Sequence, residues 1–409
     1  MKTRVLRSMP AMLLAAYSNF AAAGAFQLWE QNASGLGTAY AGSAAIADNA
    51  STVFFNPAGM SQLQGFQFSA GVAAVGPSYT FHDQGSTING VPNTGTDGGD
   101  AGGWKAVPNM HMTWAATPDI ALGLGISSPF GLATEYDPEW IGRMHAVKSE
   151  IRTINVNPSI AYKVNEKFSL GFGLNYQTLK GELTGSVGPV GVNSRLVGDD
   201  ASWGWNAGVL YKPSEAMRVG FSYRSAVKHT LEGEASSPLG AQPVRADIKL
   251  PDTFILSVWQ QVSDRWEAMG DLSYTRWESL QSLEVFNRNT GALASSEEFN
   301  YSNAWRLAWG AAYKANEQMK LKFGIAYDRS PIADGDRRAR VPDNNRLWLT
   351  LGGQWDAGRQ GKVDVGYAYL YVKNASINQT KTVGLTTSVL NGDYDASAHI
   401  LGVQYSVGF

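Results

Sequence analysis

Side chains able to do chemistry are few and scattered along this chain. The 409 residues include five histidines, at 82, 111, 145, 229 and 399, and none stands in a local serine–histidine signature. A hydrolytic triad is assembled in space, so its absence from one stretch leaves that chemistry open but without a signal. Cations are better placed. Arg218 and Arg224 in MRVGFSYR, and Lys320 and Lys322 in MKLKFGIAYD, alternate with large apolar residues and so share one side of each segment. There they can meet a carboxylate on a bound molecule or pair with Asp328 and Glu267. Asn56-Pro57-Ala58-Gly59 has the make-up of a turn, proline fixing φ and glycine releasing it. Its asparagine amide also suits backbone groups left without partners. NGVPNTGTDGGD, 89–100, lacks the spaced carboxylates and closing glutamate of a calcium loop. No metal, cofactor or nucleotide site is implied.

The elements that position these residues follow from composition and period. Lys2, Arg4 and Arg7, an apolar run over 9–20 and Ala21-Ala22-Ala23 make the three-part pattern of a secretory signal peptide, removed near Gly24. The formal charge is −2, which gives no field for nucleic acid. With no cysteine, an exported chain has no disulfide framework and relies on hydrogen bonds and packing. No run of 18 apolar residues follows the leader, so no transmembrane helix is available.

Period-2 alternation is pervasive. In FSLGFGLNYQ, 168–177, Phe168, Leu170, Phe172, Leu174 and Tyr176 share one face, while Ser169, Gly171, Gly173, Asn175 and Gln177 share the other. VDVGYAYLY (363–371) and LGVQYSVGF (401–409) repeat the design. A uniformly large apolar face opposite a small or charged one suits lipid outside and a wet or filled lumen inside. Short turns at 117–119, 164–167, 213–216, 262–265, 314–318 and 356–361 alternate with long polar stretches at 76–104, 128–149, 181–201, 229–249, 276–299, 329–344 and 372–395. Thirteen connections join fourteen strands, and an even strand number with alternating connections predicts an all-β, antiparallel transmembrane barrel over 64–409.

Residues 24–63 do not alternate. Their small, mildly apolar side chains suit close packing against a wall, and a segment entering from the periplasmic end would plug the lumen. Here a resemblance becomes specific. GAFQLWEQNASGLGTAYAGSAAIADNASTVFFNPAGM is similar to the N-terminal hatch of the FadL family of outer-membrane transporters, with Asn56, Pro57 and Ala58 matching its hatch motif. VPNMH (107–111), SSPFGLATEYD (127–137), NVNPSIAYK (155–163), LPDTF (250–254) and RVPDNNRLWLTLG (340–352) extend the likeness over the mature chain.

The resemblance implies passive uptake of hydrophobic compounds. They would be captured among outer loops, held in an internal pocket, and released sideways through a kink in the third strand. That strand reads IALGLGISSPFG, 120–131, and Gly123, Gly125, Ser127, Ser128 and Pro129 would form its kink. Phe26, near the mature N-terminus, would line the pocket, and Arg218, Arg224, Lys320 or Lys322 would meet a carboxylate. Trp104 and Trp140 would serve either the capture groove or the interfacial girdle. Family fatty-acid transporters carry basic residues where this chain reads LKGELTG (179–185) and SSEEFNYSN (295–303). The first offers only Lys180 and the second is acidic. That departure counts against a fatty-acid carboxylate site and leaves room for a neutral or aromatic ligand. The resemblance makes long-chain fatty acids the leading substrate and monoaromatic hydrocarbons the alternative. A general porin would leave the small-residue plug without a purpose, and a lipase has no signature. The chain is expected to work as a monomer within outer-membrane lipid and lipopolysaccharide.

Overall fold

A strand with one large apolar face and one small polar face is stable only where both faces find their solvent, and here fourteen such strands close on themselves. The computed structural model describes residues 24–188 and 193–409, so the expected leader at 1–23 lies outside the described residues. The wall begins with β1 (Phe66–Asp83), β2 (Lys105–Ala115), β3 (Ile120–Ser127), β4 (Lys148–Lys163) and β5 (Phe168–Gly185). It continues through β6 (Ser194–Ser214), β7 (Met217–Arg224), β8 (Thr253–Gln261), β9 (Trp266–Thr275) and β10 (Ala304–Lys314). It ends with β11 (Met319–Asp328), β12 (Arg346–Asp356), β13 (Lys362–Val372) and β14 (Thr386–Gly408). Each strand pairs antiparallel with its successor, and β14 returns to β1 in unbroken register from Gln67 opposite Gly408 to Asp83 opposite Gly392. Closure removes the edges that a lipid environment would leave unpaired. No helix among the described residues is long and apolar enough to cross a membrane.

The two faces separate as the alternation requires. On β5, Phe168, Leu170, Phe172, Leu174 and Tyr176 are exposed on the outer face, while Ser169, Asn175 and Gln177 are buried inside. The short turns are built by their own asparagines. Asn165 Oδ1 accepts the amides of Lys167 and Phe168, and Asn316 Oδ1 those of Gln318 and Met319.

The long connections depart from the sequence reading in one respect. Most of 181–201, expected as loop, is strand, with β5 and β6 paired up to Gly185 opposite Ser194. Likewise β14 begins at Thr386, and its first half pairs with Ala375–Val383. These extensions stand above the apolar band, where outward residues need not be large, so the hydrophobic period that marks a strand disappears while the hydrogen bonding persists.

Residues 24–63 lie inside the ring and are almost wholly buried up to Met60. They form short turns, one helical turn at Thr52–Phe55 and a 3₁₀ segment at Pro57–Gln62. Wall side chains supply their missing hydrogen bonds. Gln404 Oε1 accepts from the amides of Ala33 and Ser34, Asp271 from Ser43, and Ser257 Oγ from Ala44. Thr350 Oγ1 donates to the carbonyl of Gly37 at 3.0 Å, and Arg306 to that of Ala39 at 2.8 Å. The bonds reach strands from opposite sides of the barrel, so the segment is tied across the lumen.

Close approach depends on glycines facing inward. A side-chain carbon at Gly220 would come 1.9 Å from Ala44 O, one at Gly324 2.2 Å from Thr38 C, and one at Gly171 2.1 Å from Ala58 N. Asn56 is fully buried in the same region. Its Nδ2 donates to Ala44 O at 2.7 Å and to Val209 O of β6 at 3.0 Å, while its Oδ1 accepts from Ala58 N at 3.0 Å. One side chain thereby stitches two turns of the segment to the wall, with Pro57 starting the 3₁₀ turn where no donor is needed.

Candidate functional site

The wall is regular except beside β3. Pairing of β3 with β2 stops at Ile126 opposite Met110, although β2 runs on towards Lys105 with only β1 beside it. On the other edge, β3 pairs with β4 down to Ser127 opposite Asn155, and pairing resumes with Gly131 opposite Arg152. Ser128, Pro129 and Phe130 therefore face only Thr153 and Ile154, one extra residue in the manner of a bulge. Pro129 cannot donate to a ladder, and Thr153 bridges the bulge by donating to Phe130 O at 2.7 Å and accepting from Phe130 N at 3.0 Å.

The free edge of this bulge is met from inside. Leu28 N donates to Pro129 O at 2.8 Å, Gly131 N donates to Phe26 O at 2.9 Å, and Gln27 forms an isolated bridge with Phe130. Gln31 adds a bond from Nε2 to Ser128 O at 2.7 Å. Above the bulge the wall closes again, Glu135 N donating to Ala101 O at 2.9 Å. Between those two closures β2 and the β3 segment are separated, with Phe26–Leu28 standing behind the separation. Gly123 and Gly125 are not part of it. Both lie below, paired on both edges, and their missing side chains admit the inner segment: a carbon at Gly123 would come 2.4 Å from Met60 Sδ.

Phe26 is 2% exposed and belongs to an aromatic cluster. Its ring centroid lies 4.8 Å from Trp277 and 6.2 Å from Phe130, and Trp277 lies 5.8 Å from Tyr301. These rings continue outward into Leu179, Val244, Ala246, Ile248 and Leu283. The same five residues line a groove between the tall ends of β4–β6 and the outer hairpin Val227–Leu250, floored otherwise by aliphatic side chains and glycines. An apolar surface thus runs from the outer groove to the broken wall. Ala25 N is anchored nearby, donating to Asp343 Oδ2 at 2.9 Å, and Gln27 Nε2 reaches Thr253 Oγ1 at 3.1 Å.

The four cations singled out from the sequence are engaged elsewhere. Arg218 donates to Ile46 O and lies 4.5 Å over Trp259. Arg224 donates to Phe54 O at 2.9 Å and lies 4.1 Å over the Phe54 ring. Lys320 pairs with Glu267 at 2.7 Å, and Lys322 with Asp364 at 2.7 Å. Buried carbonyls and carboxylates attract these cations more strongly than an apolar cluster does. In place of the expected ligand pocket, Arg218, Arg224 and Lys322 bond carbonyls of the inner segment, and Lys320 is held by Glu267 of the wall. Lys180 faces outward and is exposed. Trp140 belongs to neither groove nor girdle. It is fully buried under the outer loops, stacked 3.9 Å from Tyr136, whereas Trp104 is exposed outside and covers Gly76.

Sequence reasoning passed over Trp277, Leu28 and Thr153. The first two lay in stretches without period. Thr153 acts only because the bulge brings the Phe130 backbone to its hydroxyl.

Comparison with known proteins agrees with this architecture. Residues 14–409 match the family model described as outer membrane protein transport protein (OMPP1/FadL/TodX). Outer membrane protein P1 of Haemophilus influenzae is 34% identical over 451 residues, covering 97% of each chain. The long-chain fatty acid transport protein of Escherichia coli K12 is 29% identical over 431 residues, covering 92% of this chain and 94% of that one. Among solved structures, a FadL homologue from Pseudomonas aeruginosa superimposes with a TM-score of 0.88 at 24% identity, covering 94% of this chain and 100% of its own.

Proposed function

Because the chain belongs to the OMPP1/FadL/TodX family of outer membrane transport proteins, we propose that it carries long-chain fatty acids passively across the outer membrane and releases them sideways. Residues 24–63 are its hatch, with Asn56, Pro57 and Ala58 the motif that seats it. A hydrophobic solute gains nothing from a water-filled pore, since crossing one means hydrating its chain at about 25 cal/mol per Å². The observation that carries the reading is the wall break at Ser128–Phe130, where an apolar surface continuous with the outer groove meets the chain just past the last β3–β2 pair, Ile126 with Met110. A ligand enters among the loops and moves onto the Phe26–Phe130–Trp277 cluster. It leaves between β2 and the bulge once Phe26–Leu28 yields its two main-chain bonds to strand three. The hatch meanwhile blocks polar solutes.

The test is paired uptake in cells lacking their own hydrophobic-compound transporters, with labelled oleate, labelled toluene and a labelled sugar. Deleting Pro129 removes the extra residue and lets β3 run straight into Gly131–Glu135. Oleate should enter with the wild-type protein and stop with the deletion, while the barrel still migrates as a folded species. Unchanged oleate uptake in a folded deletion variant would remove lateral release. Toluene uptake without oleate would transfer the protein to aromatic hydrocarbons, and sugar entry alone would make it a porin.

A further inference from the structure

Three segments meet at the vertex where β2 and β3 part. VPNMH contributes Asn109 and His111 from β2, SSPFG contributes Ser127 at the end of β3, and NVNPS contributes Asn155 from β4. The last ladder pair is Met110 with Ile126, so Asn109 and Ser127 are the first two residues on either side of the split. Asn155 stands opposite Ser127, and His111 opposite Gly125. The missing side chain of Gly125 makes room for the imidazole, because a carbon there would come 3.0 Å from His111 Cδ2.

All four side chains are buried, Asn109 at 5% exposure, His111 at 0%, Ser127 at 2% and Asn155 at 0%. Yet among the described residues both amide atoms of Asn109, both ring nitrogens of His111, Ser127 Oγ and Asn155 Oδ1 have no hydrogen-bond partner. From the hatch, Gln31 Oε1 is likewise buried and without a partner, while its Nε2 holds Ser128 O. Buried polar groups are as a rule satisfied. Elsewhere on the inner wall single atoms such as Asn206 Nδ2, Arg306 Nε and Trp348 Nε1 are also without a partner among the described residues, and Thr113, Asn157 and Ser159 extend the set along β2 and β4. Here a set of neutral donors and acceptors is concentrated where the wall opens, directly below an apolar surface.

We propose that Asn109, His111 and Ser127 seat the carboxyl group of an amphiphilic monocarboxylic acid during release, its hydrocarbon chain lying along the Phe26–Phe130 side of the opening. The inference rests on lateral release and deepens it by assigning the ligand a polar end. The Asn109 amide, a protonated imidazole nitrogen and the Ser127 hydroxyl donate to carboxyl oxygens, and Asn155 Oδ1 and Gln31 Oε1 accept a carboxyl proton when one is present. A seat of neutral groups holds the head without the tight grip of a buried cation, which suits a site that must let go.

The experiment compares labelled oleate with labelled hexadecane, similar in chain but lacking the head, in transporter-deficient cells. The variants are Ser127→Ala alone and Ser127→Ala with Asn109→Leu, checked for folding by heat-modifiable migration. Oleate uptake should fall about tenfold relative to hexadecane in the double variant, as loss of hydrogen bonds to a carboxyl implies. The empty barrel should unfold at the same or a higher temperature, since partnerless polar groups have become apolar. Equal changes for the two ligands, or none, would overturn the seat, as would a lowered unfolding temperature with uptake intact. The Pro129 deletion separates the two readings. If it leaves both ligands entering freely, lateral release itself has failed; if it stops both while the vertex variants treat them alike, only the seat has.

Discussion

Lys322 shows what an inward cation does in this barrel. It is 2.7 Å from Asp364 and donates to Ser34 O at 2.8 Å, with its side chain 8% and that of Asp364 2% exposed. Removing one partner of such a pair leaves a buried charge uncompensated, at a cost of about 3–5 kcal/mol. Lys322→Met should therefore lower the unfolding temperature sharply in detergent. Adding Asp364→Leu should recover most of the loss, with oleate uptake restored to the wild-type rate. A double variant that is stable yet transports nothing would return Lys322 to the ligand. The pairing of Lys320 with Glu267 was within reach of the sequence, because both were assigned to inward faces. Arg306 was not, since its place between Trp29 and Trp348, 4.7 and 4.9 Å from their centroids, depends on the inner segment packing against the wall.

Among the elements, the inner segment 24–63, the proposed hatch, is the one whose fit depends on what the wall lacks. Its backbone touches inward glycines of several strands, and Gly220 leaves the least room. Gly220→Val puts a branched side chain where Ala44 O now lies, and the hatch must shift away from β7. The expected result is sugar leakage and greater sensitivity to small polar antibiotics, with the barrel still inserted; a valine variant as tight as wild type would mean that the hatch does not seal at that wall. The alternation of glycine with large residues was plain in the sequence and explained as the small side of a strand. Which glycines meet the hatch was not, because contact between residues 44 and 220 has no sequence period.

On the scale of the whole molecule, the outer loops form a cap that joins distant parts of the chain. Tyr136 Oη donates to Ala339 O at 2.7 Å and lies 3.0 Å from Tyr394 Oη. His145 Nε2 meets Ser388 Oγ at 3.1 Å. Burial, helped by the charges of Lys381 and Arg340, pushes the His145 pKa down to about 3. A depressed histidine stabilises the cap fully above its unfolded value near 6.5 and loses that contribution as pH falls towards 3. The decline is about 1.4 kcal/mol for each pH unit once the unfolded ring is protonated. Protease cleavage of the outer loops should rise between pH 7 and pH 5, and His145→Gln should flatten that rise. Identical pH dependence in the variant would place the sensitive group elsewhere.

The amino-acid sequence by itself determined the barrel: its strand number, its faces, its short turns and its closure. Period-2 alternation is a local property, imposed on each strand separately by lipid on one side, so it can be read without knowing any neighbour. It also marked residues 24–63 as foreign to the wall and carried the family likeness. The likeness also pointed to Ser127, Ser128 and Pro129 as a kink, but tertiary structure alone decided which residues there lose their pairing, which cations are occupied and which polar groups are left over. Those depend on register between strands and on residues 24–63 meeting them, and the one-residue bulge at Ser128–Phe130, whose trace in the sequence is Pro129, changes both. The vertex of Asn109, His111 and Ser127 is the clearest case. The family likeness had already assigned Ser127 to the third-strand kink, whereas Asn109 and His111 stood out only within the VPNMH match, and the folded register brings the three, without side-chain partners among the described residues, to the place where β2 and β3 part.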